Sequence, residues 1–385
     1  MTESTNQAVA PIELRKSVLD EIHVAASASM IEREGWSVPA SYGDDLFEYA
    51  AVREAGAGLI DLSARGRFLV TGSEAVQFLN GLITNDMKTL AENSWMPAAF
   101  PNVQGRLIAS VRVIRLNDDT SGKNPTPTFL VDTEAITHEP VLQTIKRFTL
   151  AGDFHVTDLT GETALLSVQG KQAAEITRSV LGEAAPATPE HGVTITPWQQ
   201  ESVTVLRAAQ SAVDGFDLVV AAANAPRLWE ALVAAGARPV GNNALEILRI
   251  EAGQPRYGID MDETTVVTEA NLDAAVSYTK GCYIGQEIIA RIKYRGHVAK
   301  SLSGLVFSRS VRLASDAVIR SLDDKEIGRV TSFTLSPHLG CTLGLGYVKY
   351  DYIAPGTEVK VLSAGAEFSA RVTELPFVTE VPASQ

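Results

Sequence analysis

The residues best equipped for chemistry lie together in one run, Lys280-Gly281-Cys282-Tyr283-Ile284-Gly285-Gln286-Glu287, followed by Ile288 to His297. Two glycines flank one thiol and permit close backbone approach or unusual φ values there. The spacing after Gly285 predicts a short helix with Ile288 and Ile292 on its buried face. Gln286 and Glu287 then fall in its first turn, beside unpaired backbone N–H groups. A thiol ahead of a helix start, with an ammonium nearby, is the setting that lowers a thiol pKa and makes it reactive. Between Lys280 and Lys300 five basic residues stand against one acid, Glu287, a local positive field suited to an anionic ligand tail. The same pattern also fits a small buried cysteine beside a solvated basic face.

The rest of the chain gives that run its frame. Its 385 residues can bury more than one core, and 45% hydrophobic with 21% charged residues is ordinary globular composition. The net charge of −13 repels phosphate backbones and disfavours broad nucleic-acid binding. Two cysteines, Cys282 and Cys341, cannot build a disulfide framework or a four-thiolate metal site, and the six scattered histidines show no metal-ligand spacing. The first residues lack a secretion signal, and the longest apolar stretch, around Leu218 to Ala223, is too short to span a bilayer. A cytoplasmic protein without membrane or metal partners is expected.

An α+β architecture follows from the element order. Residues 1–45 read as a tail with one helix. Residues 46–154 and 240–298 form the main domain, with strands near Arg67–Thr71, Arg106–Leu116 and Thr128–Val131. A helix opens at Pro140 with Leu142, Ile145 and Phe148 on one face. Residues 155–239 run strand, helix, strand, strand, helix, the order of a ferredoxin-like unit inserted into that domain, with Asn224 expected to cap the helix from Ala225. Residues 299–385 carry short strands between regular turns and predict a small closed β-barrel.

Lys280 through Glu287 resembles, without a mismatch, the K-G-C-[FYWL]-x-G-Q-E signature of the YgfZ family. The resemblance continues through Arg291, Lys293 and Arg295-Gly296, and includes the Ala244–Gly253 segment. It implies the three-domain ring of the glycine-cleavage T-protein, tetrahydrofolate as cofactor, and an accessory role in iron–sulfur cluster assembly or repair, with iron–sulfur enzymes or assembly proteins as partners. The folate tail would be directed toward Lys280, Arg291 or Lys293, within the loop formed by Gly281, Gly285, Gln286 and Glu287. Cys282 would be a redox-responsive thiol or a transient cluster contact.

Two further stretches resemble the parent aminomethyltransferases. Thr84-Asn85-Asp86 stands where that family carries a catalytic aspartate, so Asp86 would bind folate nitrogens or stabilise a cation, with Asn85 beside it; an Asn-Asp turn satisfying itself is the simpler account. Tyr257, in Tyr257-Gly258-Ile259-Asp260-Met261-Asp262-Glu263, would stack on a pterin, or serve as packing. Two positions depart from the T-protein pattern: Val213 replaces a glutamate and Leu245 an arginine. These losses favour the accessory role over the alternative, an aminomethyltransferase of the glycine cleavage system.

Overall fold

The computed structural model describes residues 13–120, 125–147, 152–209 and 213–379. Part of the loop expected at Asp118–Pro127 and Phe148 of the expected helix face therefore lie outside the described residues. The mixed α+β architecture and the closed C-terminal barrel are both present.

Two sheets, each with helices on one face, form the body of the molecule. The five-stranded sheet runs Ser94–Pro101, Leu107–Arg115, Thr128–Thr133, Gly66–Thr71, His155–Asp158 in spatial order. Its inward residues, among them Phe68, Phe100, Val113 and Phe129, pack on Leu79 of the Ala75–Leu82 helix and on Val141 and Ile145 of the His138–Lys146 helix. Pro140 sits in the first turn of the latter, where its missing N–H costs nothing.

The six-stranded sheet runs Val193–Trp198, Glu201–Arg207, Gly215–Ala221, Thr163–Gln169, Gly58–Asp61, Arg238–Pro239. It packs against Ile176 and Leu181 of the Ala173–Leu181 helix and Leu228, Trp229 and Leu232 of the Ala225–Ala234 helix. Asn224 precedes that helix but its side chain makes no capping hydrogen bond.

The expected boundary at residue 155 is crossed twice. The strand Gly58–Asp61 pairs with Thr163–Gln169, and His155–Asp158 pairs back onto Gly66–Thr71. Both are four-residue strands, too short to show period-two patterning, and their partners are distant in sequence. The N-terminal segment also differs from the expected tail. Besides the Asp20–Ala25 helix it forms a sheet of Arg15–Lys16, Trp36–Ser41 and Ser29–Arg33.

The barrel closes in the order Lys300–Phe307, Cys341–Lys349, Glu326–Ser336, Val318–Arg320, Glu358–Ser363, Ala366–Thr373. Alternation along each strand sends Leu305, Ile319, Val330, Val361 and Val372 inward. Cys341 is half-buried at its edge.

One helix, Asn242–Glu251, touches the N-terminal sheet, the six-stranded sheet and the barrel. Gly241 precedes it because a Cβ there would lie 2.3 Å from the Ala40 carbonyl oxygen, and its N–H donates to buried Glu48 at 2.7 Å. Leu248 and Ala244 pack with Tyr49, Val52, Ile60 and Val240, whereas Ile250 enters a cluster with Leu302, Leu343 and Leu345 of the barrel. Arg249 reaches Asp260 at 2.7 Å and Ser332 at 2.8 Å. Glu251, fully buried, accepts from Tyr49 at 2.8 Å, Arg53 at 2.9 Å and Ser336 at 2.5 Å.

Removing one member of such a buried pair leaves the other charge uncompensated. Glu251→Ala is expected to destabilise the protein by roughly 3–5 kcal/mol, read as a lower urea midpoint. An unchanged midpoint would show that the helix does not depend on this contact.

Candidate functional site

Where the Asn242–Glu251 helix passes the two sheets, it leaves a cavity of about 180 Å3. Its apolar floor is Val38, Ile60, Leu62 and Leu245, and its rim is charged, with Arg33, Glu34, Arg65, Glu134, Glu246 and Arg256. A more open groove of about 410 Å3 shares Arg33, Glu34, Asn242, Glu246 and Arg256 with it and extends past Ile31, Ile136 and Tyr257. Together they form a concave site with an apolar base and a few placed polar groups.

Local structure explains how each rim residue gets there. The turn between Ser29–Arg33 and Trp36–Ser41 places Glu34 at φ 54° and Gly35 at φ 80°, which carries Arg33 and Glu34 over the opening. The Arg33 guanidinium donates to Asn242, and Glu34 accepts the Ile136 N–H at 3.1 Å. Burial, aided by the like charge of Arg256, lowers the Arg33 pKa. Glu246 lies one helical turn before Arg249, 2.5 Å from it and 2.7 Å from Arg256. These partners hold its carboxyl below the usual range despite burial.

Deeper in the wall, Asp132 joins Arg65 at 2.8 Å and Arg112 at 2.7 Å, and Arg112 reaches Asp217 of the other sheet at 2.5 Å. Despite burial, the two guanidinium groups hold the Asp132 carboxyl down at about 2. Asp61 accepts from Ser17 and the Ser63 N–H and lies 3.0 Å from His23. Burial opposes ionisation of Asp61, but its partnership with His23 prevails and lowers its pKa.

Glu134 is different. It directly follows the Thr128–Thr133 strand, and among the described residues the one hydrogen bond of its carboxyl is at Oε1, from the Tyr257 N–H at 3.3 Å. Burial, aided by the charge of Glu34 and opposed by Arg65, pushes its carboxyl up to about 7.

The residues expected from the Lys280–Glu287 run do not line this cavity. Lys280 is buried, and its Nζ donates to the carbonyls of Asn80, Ile83 and Asn85 at 2.8, 3.0 and 2.5 Å. It thus neutralises the C-terminal end of the Ala75–Leu82 helix and the turn after it. Burial lowers its pKa to about 8. The ammonium expected to activate the thiol is spent on these carbonyls.

Cys282 is exposed, and so is Gly281, whose missing side chain faces open space. Gly285 sits at φ 79°, and a Cβ there would lie 2.4 Å from the Asn102 carbonyl oxygen, so glycine is required to start the Gln286–Arg295 helix. Ile289, rather than Ile288 or Ile292, is the buried residue of that helix. Gln286 turns back to the Gly281 carbonyl at 3.4 Å. Glu287, Arg291 and Lys293 are exposed, with Lys293 lying over the Tyr278 ring at 4.9 Å.

Asp86 is likewise absent from the cavity wall. Its Oδ1 accepts the Lys88 N–H at 3.0 Å, and Asn85 donates to the Pro97 and Ala274 carbonyls. The turn thus engages the Asp86 carboxyl locally, while the Asn85 amide is held by carbonyls from two distant segments. Tyr257 reaches the groove, not the cavity floor.

Val213 and Leu245 pack together around Ile60, beside or on the cavity floor. The site lacks charges there and gains them at Arg33, Arg65, Glu134 and Arg256, which sequence reasoning missed. Only Glu246 lay inside a segment already singled out.

Comparison with known families agrees with this architecture. The profile of the GCVT N-terminal domain matches residues 19–280, and that of the glycine cleavage T-protein C-terminal barrel domain matches residues 300–379. The chain belongs to the glycine cleavage T-protein family. Among its relatives is the aminomethyltransferase of Symbiobacterium thermophilum, 31% identical over 94% of this chain and 97% of that one. The aminomethyltransferase of Rubrobacter xylanophilus is 32% identical, covering 96% of each chain. The crystal structure of the glycine cleavage system aminomethyltransferase T from Bartonella henselae superposes with a TM-score of 0.85, at 25% identity, over 95% of this chain and 98% of that one.

Tetrahydrofolate, expected from the resemblance, agrees with this family. The expected iron–sulfur accessory role is overturned, because the relatives matched along nearly the whole chain are aminomethyltransferases. No helix among the described residues is long and apolar enough to cross a membrane.

The geometry separates two roles within the Lys280–Glu287 run. Lys280→Met should lower stability by roughly 1–3 kcal/mol, since three carbonyls lose a charged donor. Cys282→Ser should change it by less than about 0.5 kcal/mol. Denaturation of both variants tests this, and the opposite ranking would contradict it.

Proposed function

We propose that the protein is a folate-dependent aminomethyltransferase, with the cavity beside Leu245 as its folate site. The observation that carries this reading is the convergence of a charged rim on an apolar floor where three parts of a T-protein fold meet. An apolar floor of Ile60, Leu62 and Leu245 accepts the flat face of a pterin. Glu246 and Glu134 offer acceptors to its ring N–H groups, and Arg33 and Arg256 in the groove face the acidic tail.

These groups stand in for the glutamate and arginine missing at Val213 and Leu245. The two losses therefore count less against transfer than the linear sequence suggests. When bound, tetrahydrofolate supplies the nitrogen nucleophile that accepts the one-carbon unit. The chain's own residues orient the ring, screen it on the floor side and hold protons at the rim. The YgfZ-like Lys280–Glu287 run braces the Ala75–Leu82 helix in this reading and takes no part in transfer.

A reconstituted glycine-cleavage assay with a lipoyl carrier protein should show folate-dependent release of ammonia. Leu245→Trp, which fills the floor, should weaken tetrahydrofolate binding by roughly tenfold or more, about 1.4 kcal/mol, by calorimetry. Full turnover with a filled cavity would place the site elsewhere.

A further inference from the structure

Every other carboxylate of the cavity wall is tied down. Glu246 is shared by Arg249 and Arg256, Asp61 by Ser17, His23 and Ser63, and Glu34 by the Ile136 N–H at one oxygen and the Arg33 guanidinium, 4.0 Å away, at the other. Glu134 has one long backbone contact, at Oε1, and among the described residues no donor is recorded for its Oε2. The cation nearest in charge, Arg65, makes two hydrogen bonds to Asp132. Glu134 is thus the wall carboxyl free to exchange a proton with a ligand.

We propose that Glu134 is the catalytic acid–base of this cavity, protonating the departing amine and recovering the proton displaced from the folate. This rests on the transferase reading and adds a residue role to it. As the aminomethyl carbon passes to N5 of tetrahydrofolate, its bond to the amine breaks and the electron pair goes to the amine nitrogen. Glu134 gives that nitrogen its proton, ammonia leaves, and the carboxylate takes up the proton lost from N5. N10 then bonds to the same carbon as that carbon's bond to the lipoyl sulfur of the carrier breaks; the sulfur keeps that electron pair and takes up the N10 proton, so no oxidant is needed. A carboxyl held near neutrality is suited to both halves of the exchange.

The groups facing Glu134 set its behaviour from each side: Glu34 from the N-terminal turn, Arg65 from the loop before Gly66–Thr71, and Arg256 with the Tyr257 N–H from the loop after the central helix. Its own strand contributes Asp132, already paired, and the central helix presents Glu246 across the cavity.

The sign of the linkage gives a readout independent of turnover. A carboxyl raised from 4.5 to about 7 in the folded state keeps a proton that the unfolded chain has released. Stability from this group is present below pH 4.5 and lost as pH rises through about 7. The urea midpoint of wild type should therefore fall relative to that of Glu134→Gln between pH 4.5 and about 7, the difference flattening above that window.

In the reconstituted assay Glu134→Gln should lose roughly 100-fold in kcat, far more than it loses in tetrahydrofolate affinity, and Glu134→Asp should recover part of the kcat loss with a shifted pH profile. An unchanged kcat and pH profile in Glu134→Gln, or parallel stability curves, would overturn the proposal. Absence of turnover in wild type would instead sink the transferase reading and take this one with it.

Discussion

Two opposite charges, Arg249 and Glu251, are buried two residues apart on one helix. Either alone would carry a desolvation cost of several kcal/mol. Each draws its partners from both the body and the same barrel strand, Glu326–Ser336. Arg249 needs Asp260 and the barrel's Ser332, whereas Glu251 needs Tyr49, Arg53 and Ser336. The helix is satisfied only when the body and the barrel are docked on it together. That requirement also sets the position of Leu245 and Glu246, which lie less than two turns earlier and form one wall of the cavity.

The second fixed element is the chain Arg65–Asp132–Arg112–Asp217. It bridges the two sheets through side chains rather than backbone pairing. Asp132 and Glu134 lie two residues apart, so the bridge that anchors one carboxylate leaves the next at the cavity wall. Both Arg65 hydrogen bonds to a side chain go to Asp132, which leaves desolvation dominant at Glu134. The unusual group of the site is thus a by-product of how the sheets are joined.

Sequence patterns disclosed the parts of the fold whose evidence is local. Alternation exposed the barrel strands, and the run from Ala244 to Glu251 exposed the central helix. The strands Gly58–Asp61 and His155–Asp158 were not legible in this way, because their four residues acquire strand identity only from distant partners. The same applies to the site. Arg33, Glu134 and Arg256 come from three turns separated by about a hundred residues each, and no spacing rule joins them. In Lys280–Glu287, by contrast, the unusual residues are adjacent in sequence.

That concentration has a physical origin in packing. Lys280 must be a long cation because three carbonyls after one helix converge on its position. Gly285 must be glycine because the Asn102 carbonyl leaves no room for a Cβ at positive φ. Tyr283 is buried against the Leu107 and Val267 cluster. Each constraint specifies one residue type, so a dense motif results without a ligand being required. The cavity is built otherwise: its floor is made of common aliphatics, and among the described residues its least-partnered carboxyl is a glutamate after a strand. In this chain the strictest local sequence requirements belong to the brace, whereas the cavity is assembled from residues that no local rule singles out.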